Sequence, residues 1–479
     1  MISAGIAVTM FCLGVYTNQV SDYTKLDNWF KDNIIMQWQV VIGIILLAYF
    51  FLVSFLHIFL PEKHLDWSKV NTDNLNFPES FTWGVATASH QIEGGNSNNW
   101  TQFEEREKKE ASGDACDHWN LWASDHDMLV ELGVTSYRFS IEWSRIEPEE
   151  GEWNEDAIEV YSAMVDSLLA KGIEPMITLH HFSHPIWFEE RGGFYERNNL
   201  PYFVDYCARI YPYFADRVNK WCTVNEPDVF SIMGYHMGMF PPGKRSPVKA
   251  IRVMTNVMIA HGEVYHRLKE INPNSYIGLA KNVTIFDPYR RWNLLHWLTS
   301  FALNYIWNGA IISALSRGRM YGKSVHRVKK SADFIGLNYY THVLTSPFLP
   351  QTTEIDLPSR KHETITEFGY PMYAEGLERA TKWLQKLSIP IEITENGVAD
   401  AEDKLRPIHL KRHLWVIGNL ISNGADIRSY YHWSLMDNFE WAEGYSMRFG
   451  LYEVDYESQT RSLRESGKIY QQIIRDNNA

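Results

Sequence analysis

Cysteine is scarce in this chain of 479 residues. Cys12, Cys116, Cys207 and Cys222 are the four present, and no two of them form a C-x-x-C pair. Neither a zinc site nor a disulfide framework fits such scatter. Cys12 lies in an apolar stretch, and the other three leave at least one thiol unpaired, which leans toward a reducing, cytoplasmic compartment for the soluble part. Positive charge is also short: 45 Lys and Arg against 58 Asp and Glu leave a net charge of −13. That sign disfavours nonspecific nucleic-acid binding, which works by neutralising phosphates. No short internal repeat or low-complexity tract occurs, and 45% apolar with 22% charged residues is an ordinary globular balance that argues against long disorder. Nothing in the residue pattern speaks to oligomeric state. Aromatic residues are plentiful, with 18 Trp and 26 Tyr; they fill cores, and flat rings also pack on the C–H faces of sugars.

Charge is absent altogether from residues 40–59, VVIGIILLAYFFLVSFLHIF. At about 1.5 Å per residue, twenty residues span roughly the 30 Å of a hydrocarbon core. Trp38 and His57 stand near its ends, where interfacial residues belong. We expect a transmembrane helix over 34–60, preceded by an apolar segment and polar linker in 1–33 and followed by a linker in 61–76. Residues 2–16 (ISAGIAVTMFCLGVY) are apolar but short, and they lack the positive n-region of a signal peptide. An interfacial segment, half of a hairpin and a plain extension all fit them. Lys25 and Lys31 precede the long span and Lys63 and Lys69 follow it, so flanking charge leaves orientation open.

After Pro61, short β-rich runs alternate with amphipathic stretches, the pattern of a parallel α/β sheet. One unit shows the logic. Asn154 caps a helix whose first turn is acidic (Glu155, Asp156). Ile158, Tyr161, Val165 and Leu168 share a face, Lys171-Gly172 closes it, and EPMITLHH from Glu174 follows as a buried strand. Eight such strands are counted: SFTWGVATAS from Ser80, SYRFSIEWS from Ser136, EPMITLHH, KWCTVNEP from Lys220, SYIGLAKN from Ser275, DFIGLNYY from Asp333, IEITENG from Ile391 and DIRSYYHWSL from Asp426. Eight strands with intervening helices predict a closed (β/α)8 TIM barrel, class α/β, as a single catalytic domain over 77–479; a doubly wound open sheet has the same periodicity. Residues 345–371, with four prolines, read as a long surface loop.

Polar residues crowd the C-terminal ends of these strands: Gln91 and Glu93, Arg138, His180 and His181, Asn225 and Glu226, Asn338 and Tyr340, Glu395 and Asn396, and Trp433. In a barrel those ends open on one face, where active sites sit. Glu226 and Glu395 end strands that lie roughly opposite each other, as two carboxylates flanking a glycosidic bond would. His180, His181 and His184 resemble a metal cluster, but strand alternation sends the first two to opposite faces, so we expect no metal.

From about Phe77 onward the chain resembles family 1 of the glycoside hydrolases, the β-glucosidase and β-galactosidase family. FPESFTWGVATASHQIEGG, YRFSIEWSRI, TVNEP, GLNYY, ITENG and HWSLMDNFEWAEGYSMRFGL occur in the family's order. The resemblance implies Glu226 as acid/base, Glu395 as nucleophile, and Arg138 and Tyr340 as the pair positioning that nucleophile. It implies Asn225 at the sugar 2-hydroxyl, Gln91, His181, Glu440 and Trp441 as hydrogen-bonding partners of the nonreducing sugar, and Trp433 as its stacking floor; Asn338 joins this substrate-binding set. No cofactor is implied. Arg138 is expected to lower the pKa of Glu395, and a like charge in a partly dry pocket to raise that of Glu226.

Glu226 stands where thioglucoside-cleaving members carry Gln, and EWAEGYSMRFG differs from the phosphate-binding stretch of phospho-sugar members. HHFSHP departs from the commoner HWDLP form: Phe182 is an acceptable aromatic, while Ser183 and His184 leave the pocket wall open. The expected activity is retaining hydrolysis of terminal β-glucosides or β-galactosides. Its rivals are transglycosylation on glycolipids at a membrane, which uses the same residues, and a sugar-binding module without catalysis, which typically loses one of the two glutamates.

Overall fold

A computed structural model of the protein describes residues 20–347 and 358–478. The apolar segment 2–16 and Cys12 lie outside the described residues. The chain divides into two compact units, Met1–Glu62 with Arg291–Leu294, and Lys63–Arg290 with Leu295–Ala479.

In the first unit one helix, α1, runs Val20–Phe59. It begins well ahead of residue 34, so much of the expected polar linker is helical. Neither Pro nor Gly occurs from Val20 to Ile42 to break it, and Lys31 pairs with Asp27 one turn back at 2.7 Å. The section Asp27–Phe59 is long and apolar enough to cross a membrane, and almost none of it is buried. Ile44, Leu46 and Phe50 are 62–64% exposed.

The second unit is the expected barrel. Its strands are β1 (Thr82–Ala86), β2 (Ser136–Ser140), β3 (Glu174–Thr178), β4 (Lys220–Asn225), β5 (Tyr276–Asn282), β6 (Phe334–Asn338), β7 (Ile391–Asn396) and β8 (Ile427–Trp433). All pair in parallel in chain order, and β8 returns to β1 with Thr82 opposite Ser429, which closes the ring and rules out the open sheet. Every residue of β2, β6 and β7 is buried, as strands covered on both faces must be. Most strands are shorter than the apolar runs that announced them. Their C-terminal residues leave the ladder and turn into the loops that carry polar groups.

Helix α2 (Glu155–Ala170) follows the local reading. The amide of Ala157 donates to the Asn154 side chain at 3.1 Å, and Ile158, Tyr161, Val165 and Leu168 are buried against the barrel. Asn154→Ala removes this cap, which is worth about 1 kcal/mol. The expected outcome is a lower urea midpoint with unchanged kcat, measured by fluorescence and by glycoside turnover.

Candidate active site

Local backbone geometry aims the two glutamates. The ladders of β4 and β7 both slip register near their ends, between Cys222 and Asn225 and between Glu392 and Glu395; such bulges redirect the residues that follow. Glu226 comes just after β4 with φ 42° and ψ 67°. Pro227 disfavours the right-handed helical region for the residue before it, and the left-handed region costs an ordinary side chain about 1–3 kcal/mol. Phe182 (φ 70°) and Trp441 (φ 47°) share this strain, and all three line the same cavity, together with His181, Asn225, Tyr340, Glu395, Trp433 and Glu440.

Behind that lining runs one hydrogen-bond network. Arg138, on β2, donates through Nη1 to Glu395 Oε1 at 2.7 Å and through Nη2 to Asn225 Oδ1 at 2.7 Å. The Tyr340 hydroxyl donates to Glu395 Oε2 at 2.8 Å. Asn338 donates to both Asn225 Oδ1 (3.1 Å) and Glu226 Oε1 (2.9 Å), and Asn282 donates to the same Glu226 oxygen at 3.0 Å. A guanidinium only donates, so the identity of each amide atom follows from it. Asn225 presents Oδ1 to Arg138 and therefore Nδ2 to His181 Nε2, 2.9 Å away. Burial pushes His181 well below the ordinary histidine pKa; the ring is neutral, accepts at Nε2 and carries its hydrogen on Nδ1. That Nδ1 and the side-chain oxygen Oε1 of Gln91 are buried and lack partners among the described residues. Such groups are rare in native interiors, and together they offer one donor and one acceptor to a hydroxyl-bearing ligand.

The carboxylates differ in how they are held. Burial raises Glu226 well above the usual range, and the charges of Glu395 and Asp228 push the same way; only neutral amides oppose them. Burial also raises Glu395, but there Arg138 and Tyr340 favour the anion. The net direction at Glu395 therefore differs from the lowering expected from Arg138, because desolvation outweighs the guanidinium. The difference between the two acids remains. Glu440, which accepts from Gln91 at 3.2 Å, is pushed up to about 8 by burial and then by Glu395.

The sequence profile of glycosyl hydrolase family 1 matches residues 73–479. The chain belongs to glycosyl hydrolase family 1. It is 34% identical over 443 residues to β-glucosidase A of Thermotoga maritima, which covers 84% of this chain and 98% of that enzyme. The fold is similar to the β-glycosidase from Pyrococcus horikoshii (36% identity, TM-score 0.76, 84% of this chain and 96% of that one). It is likewise similar to the β-glucosidase from Thermotoga maritima in complex with glucoimidazole (32% identity, TM-score 0.79, 84% and 100%). This family 1 protein is a glycoside hydrolase, retaining and β-glucosidase-like, and a β-glycoside is its class of substrate.

Among the residues expected from sequence, His181, Asn225, Glu226, Tyr340, Glu395, Trp433, Glu440 and Trp441 face the cavity. Arg138 and Asn338 sit just behind it. Gln91 is held against the lining by its bonds to Asn438, Phe439 and Glu440. Glu93 pairs with Arg145 and Tyr161 instead, and His180 bonds His184, not His181. Ser183 and His184 turn away toward Glu142 and Glu189, so the unusual HHFSHP motif leaves His181 and Phe182 as its share of the wall. Phe368 and Tyr370 line the cavity although 345–371 read as a surface loop; residues 348–357 of that loop lie outside the described residues. Asn282 was missed. It ends β5, and the strand-end rule that found the others would have found it.

Tyr340→Phe removes a donor that favours the Glu395 anion, so that carboxyl holds its proton to higher pH. The acidic limb of kcat/KM should move upward. A hydrogen bond to a charged group is worth about 1.5–3 kcal/mol, so kcat/KM should fall roughly 10- to 150-fold; pH profiles on an aryl β-glucoside check both.

Proposed function

We propose that this enzyme hydrolyses terminal β-linked glucosides or galactosides by double displacement, held at a membrane by α1. Glu395 is the nucleophile and Glu226 the acid/base. The observation that carries the assignment is the unequal support of the two carboxyls: a cation and a phenol for Glu395, two neutral amides on one oxygen for Glu226.

In the first step Glu395 attacks the anomeric carbon while Glu226 gives its proton to the departing oxygen, and a glycosyl ester forms with inversion. The ester carries no charge, so the repulsion that held the proton on Glu226 is gone. Glu226, now ionised, accepts a proton from water as the water oxygen displaces Glu395 with a second inversion. The sugar stacks on Trp433, with Gln91, His181, Glu440 and Trp441 on its hydroxyls and Asn225 at the 2-position. The reaction consumes water alone and calls on no metal or organic cofactor. Glu226 is needed protonated and Glu395 ionised, so activity falls as pH rises through the first pKa or drops through the second.

Azide separates the two roles. Glu395→Ala should lose turnover, and azide should restore it on an activated aryl β-glycoside with the α-glycosyl azide as product. Glu226→Ala should keep good leaving groups and, with azide, give the β-glycosyl azide. The same anomer from both, read by NMR, would overturn the assignment.

The anchor reading rests on the charge-free length of residues 33–59 within α1 and their bare apolar surface. Full-length protein should stay in the membrane pellet through carbonate extraction, while a chain beginning near Leu65 should be soluble and active. A freely soluble full-length protein would remove the anchor.

A further inference from the structure

One helix beside the barrel turns a row of large apolar residues outward. Residues 292–316 contain no Asp, Glu, Lys or Arg, with Arg291 before them and Arg317 after. Within them a helix runs Leu294–Asn304 and continues through Tyr305–Gly309. Its inward face mixes the ring of Trp297 with polar His296, Ser300 and Asn304, and Ser300 and Asn304 donate to the carbonyl of Phe286 at 2.6 and 2.7 Å. Leu295, Leu298, Phe301 and Tyr305 are 53%, 62%, 43% and 49% exposed. Their spacing of three, three and four puts them on one face. A helix on a protein in water shows the opposite arrangement. An uncharged helix with Leu, Phe and Tyr outward and Arg at the ends suits the boundary between lipid headgroups and acyl chains.

The same element reaches the catalytic cavity. Trp307, one turn beyond Asn304, lines it and donates to the carbonyl of Asn282 at 3.2 Å; Asn282 in turn holds Glu226. The departing aglycone must lie on the Glu226 side, because that acid protonates its oxygen. There the wall is apolar. Val229 and Met233 follow Glu226 by three and seven residues on a helical face, and Met239 and Trp307 complete it.

We propose that the outward face of 295–305 rests on a lipid bilayer and that the pocket takes β-glycosides whose aglycone is a long hydrocarbon chain, entering past Trp307 from that surface. The proposal rests on the glycosidase reading above and adds the aglycone and the place from which it is drawn. A bilayer is the occupant favoured over a protein partner because this chain carries its own span, α1, which keeps the barrel at the surface of whatever membrane it crosses.

The test uses full-length protein in phosphatidylcholine vesicles and two substrates with one sugar: a water-soluble aryl β-glycoside and a dodecyl or longer alkyl β-glycoside dispersed in the bilayer. The triple variant Leu295→Gln, Leu298→Gln, Phe301→Gln should lose at least tenfold in turnover of the alkyl glycoside and stay within twofold of the parent on the aryl glycoside, which also reports that it is folded. Equal losses on both substrates would make the row structural and overturn the proposal, as would no loss on either. If the parent oligomerises in detergent and the variant does not, with alkyl turnover unchanged, the face belongs to a second copy and the proposal falls. Parent protein that turns over the aryl but not the alkyl glycoside would overturn the lipid aglycone and leave the glycosidase reading standing. Failure on both would remove the glycosidase reading itself.

Discussion

The site is organised around a cation taken out of water. Arg138 is almost fully buried near the axis of the barrel, where a guanidinium needs counter-charge and acceptors for its donors. It finds them in Glu395, the carbonyl of Thr394, Thr178 and Asn225. Each partner is thereby fixed in orientation as well as place. Asn225 cannot rotate its amide without setting N–H against N–H, so His181 is held in one tautomer. Removing one member of a buried ion pair costs about 3–5 kcal/mol, which is why this geometry is stiff before any ligand arrives.

From that constraint comes the difference between two chemically identical residues. Both carboxyls are buried, and burial alone raises both. Proximity to Arg138 separates them: one has a cation and a phenol on its oxygens, the other faces that first carboxylate. Glu395 needs no lowered pKa for this, only an anion better supported than that of Glu226. Two such groups titrate as a pair, and the pair binds its first proton on the less supported member.

Beyond the pocket, rows of exposed apolar residues among the described residues include those on α1 and on the helix 295–305. The first was legible as sequence, since twenty residues without charge exceed what a core helix usually sustains. The second was not. Leu295, Leu298, Phe301 and Tyr305 follow ordinary amphipathic spacing, and periodicity states that a stripe exists without saying which way it faces. Only the structure shows that Trp297, Ser300 and Asn304 turn inward and leave this row on the surface.

The eight-strand pattern, the capped α2 and the strand-end residues follow from sequence, because periodicity, capping and turn chemistry act over a few residues. Glu226 and Glu395 could be named there for the same reason, as charged groups ending buried strands. Tertiary structure decided what depends on distance. Closure of the ring through β1 and β8 brought Arg138 to both Asn225 and Glu395, sent Glu93 and His180 away from the pocket, and drew Phe368 and Tyr370 in from a loop. It also reversed the expected direction at Glu395. Desolvation is a property of everything packed around a carboxyl, and no neighbour in the sequence can report it.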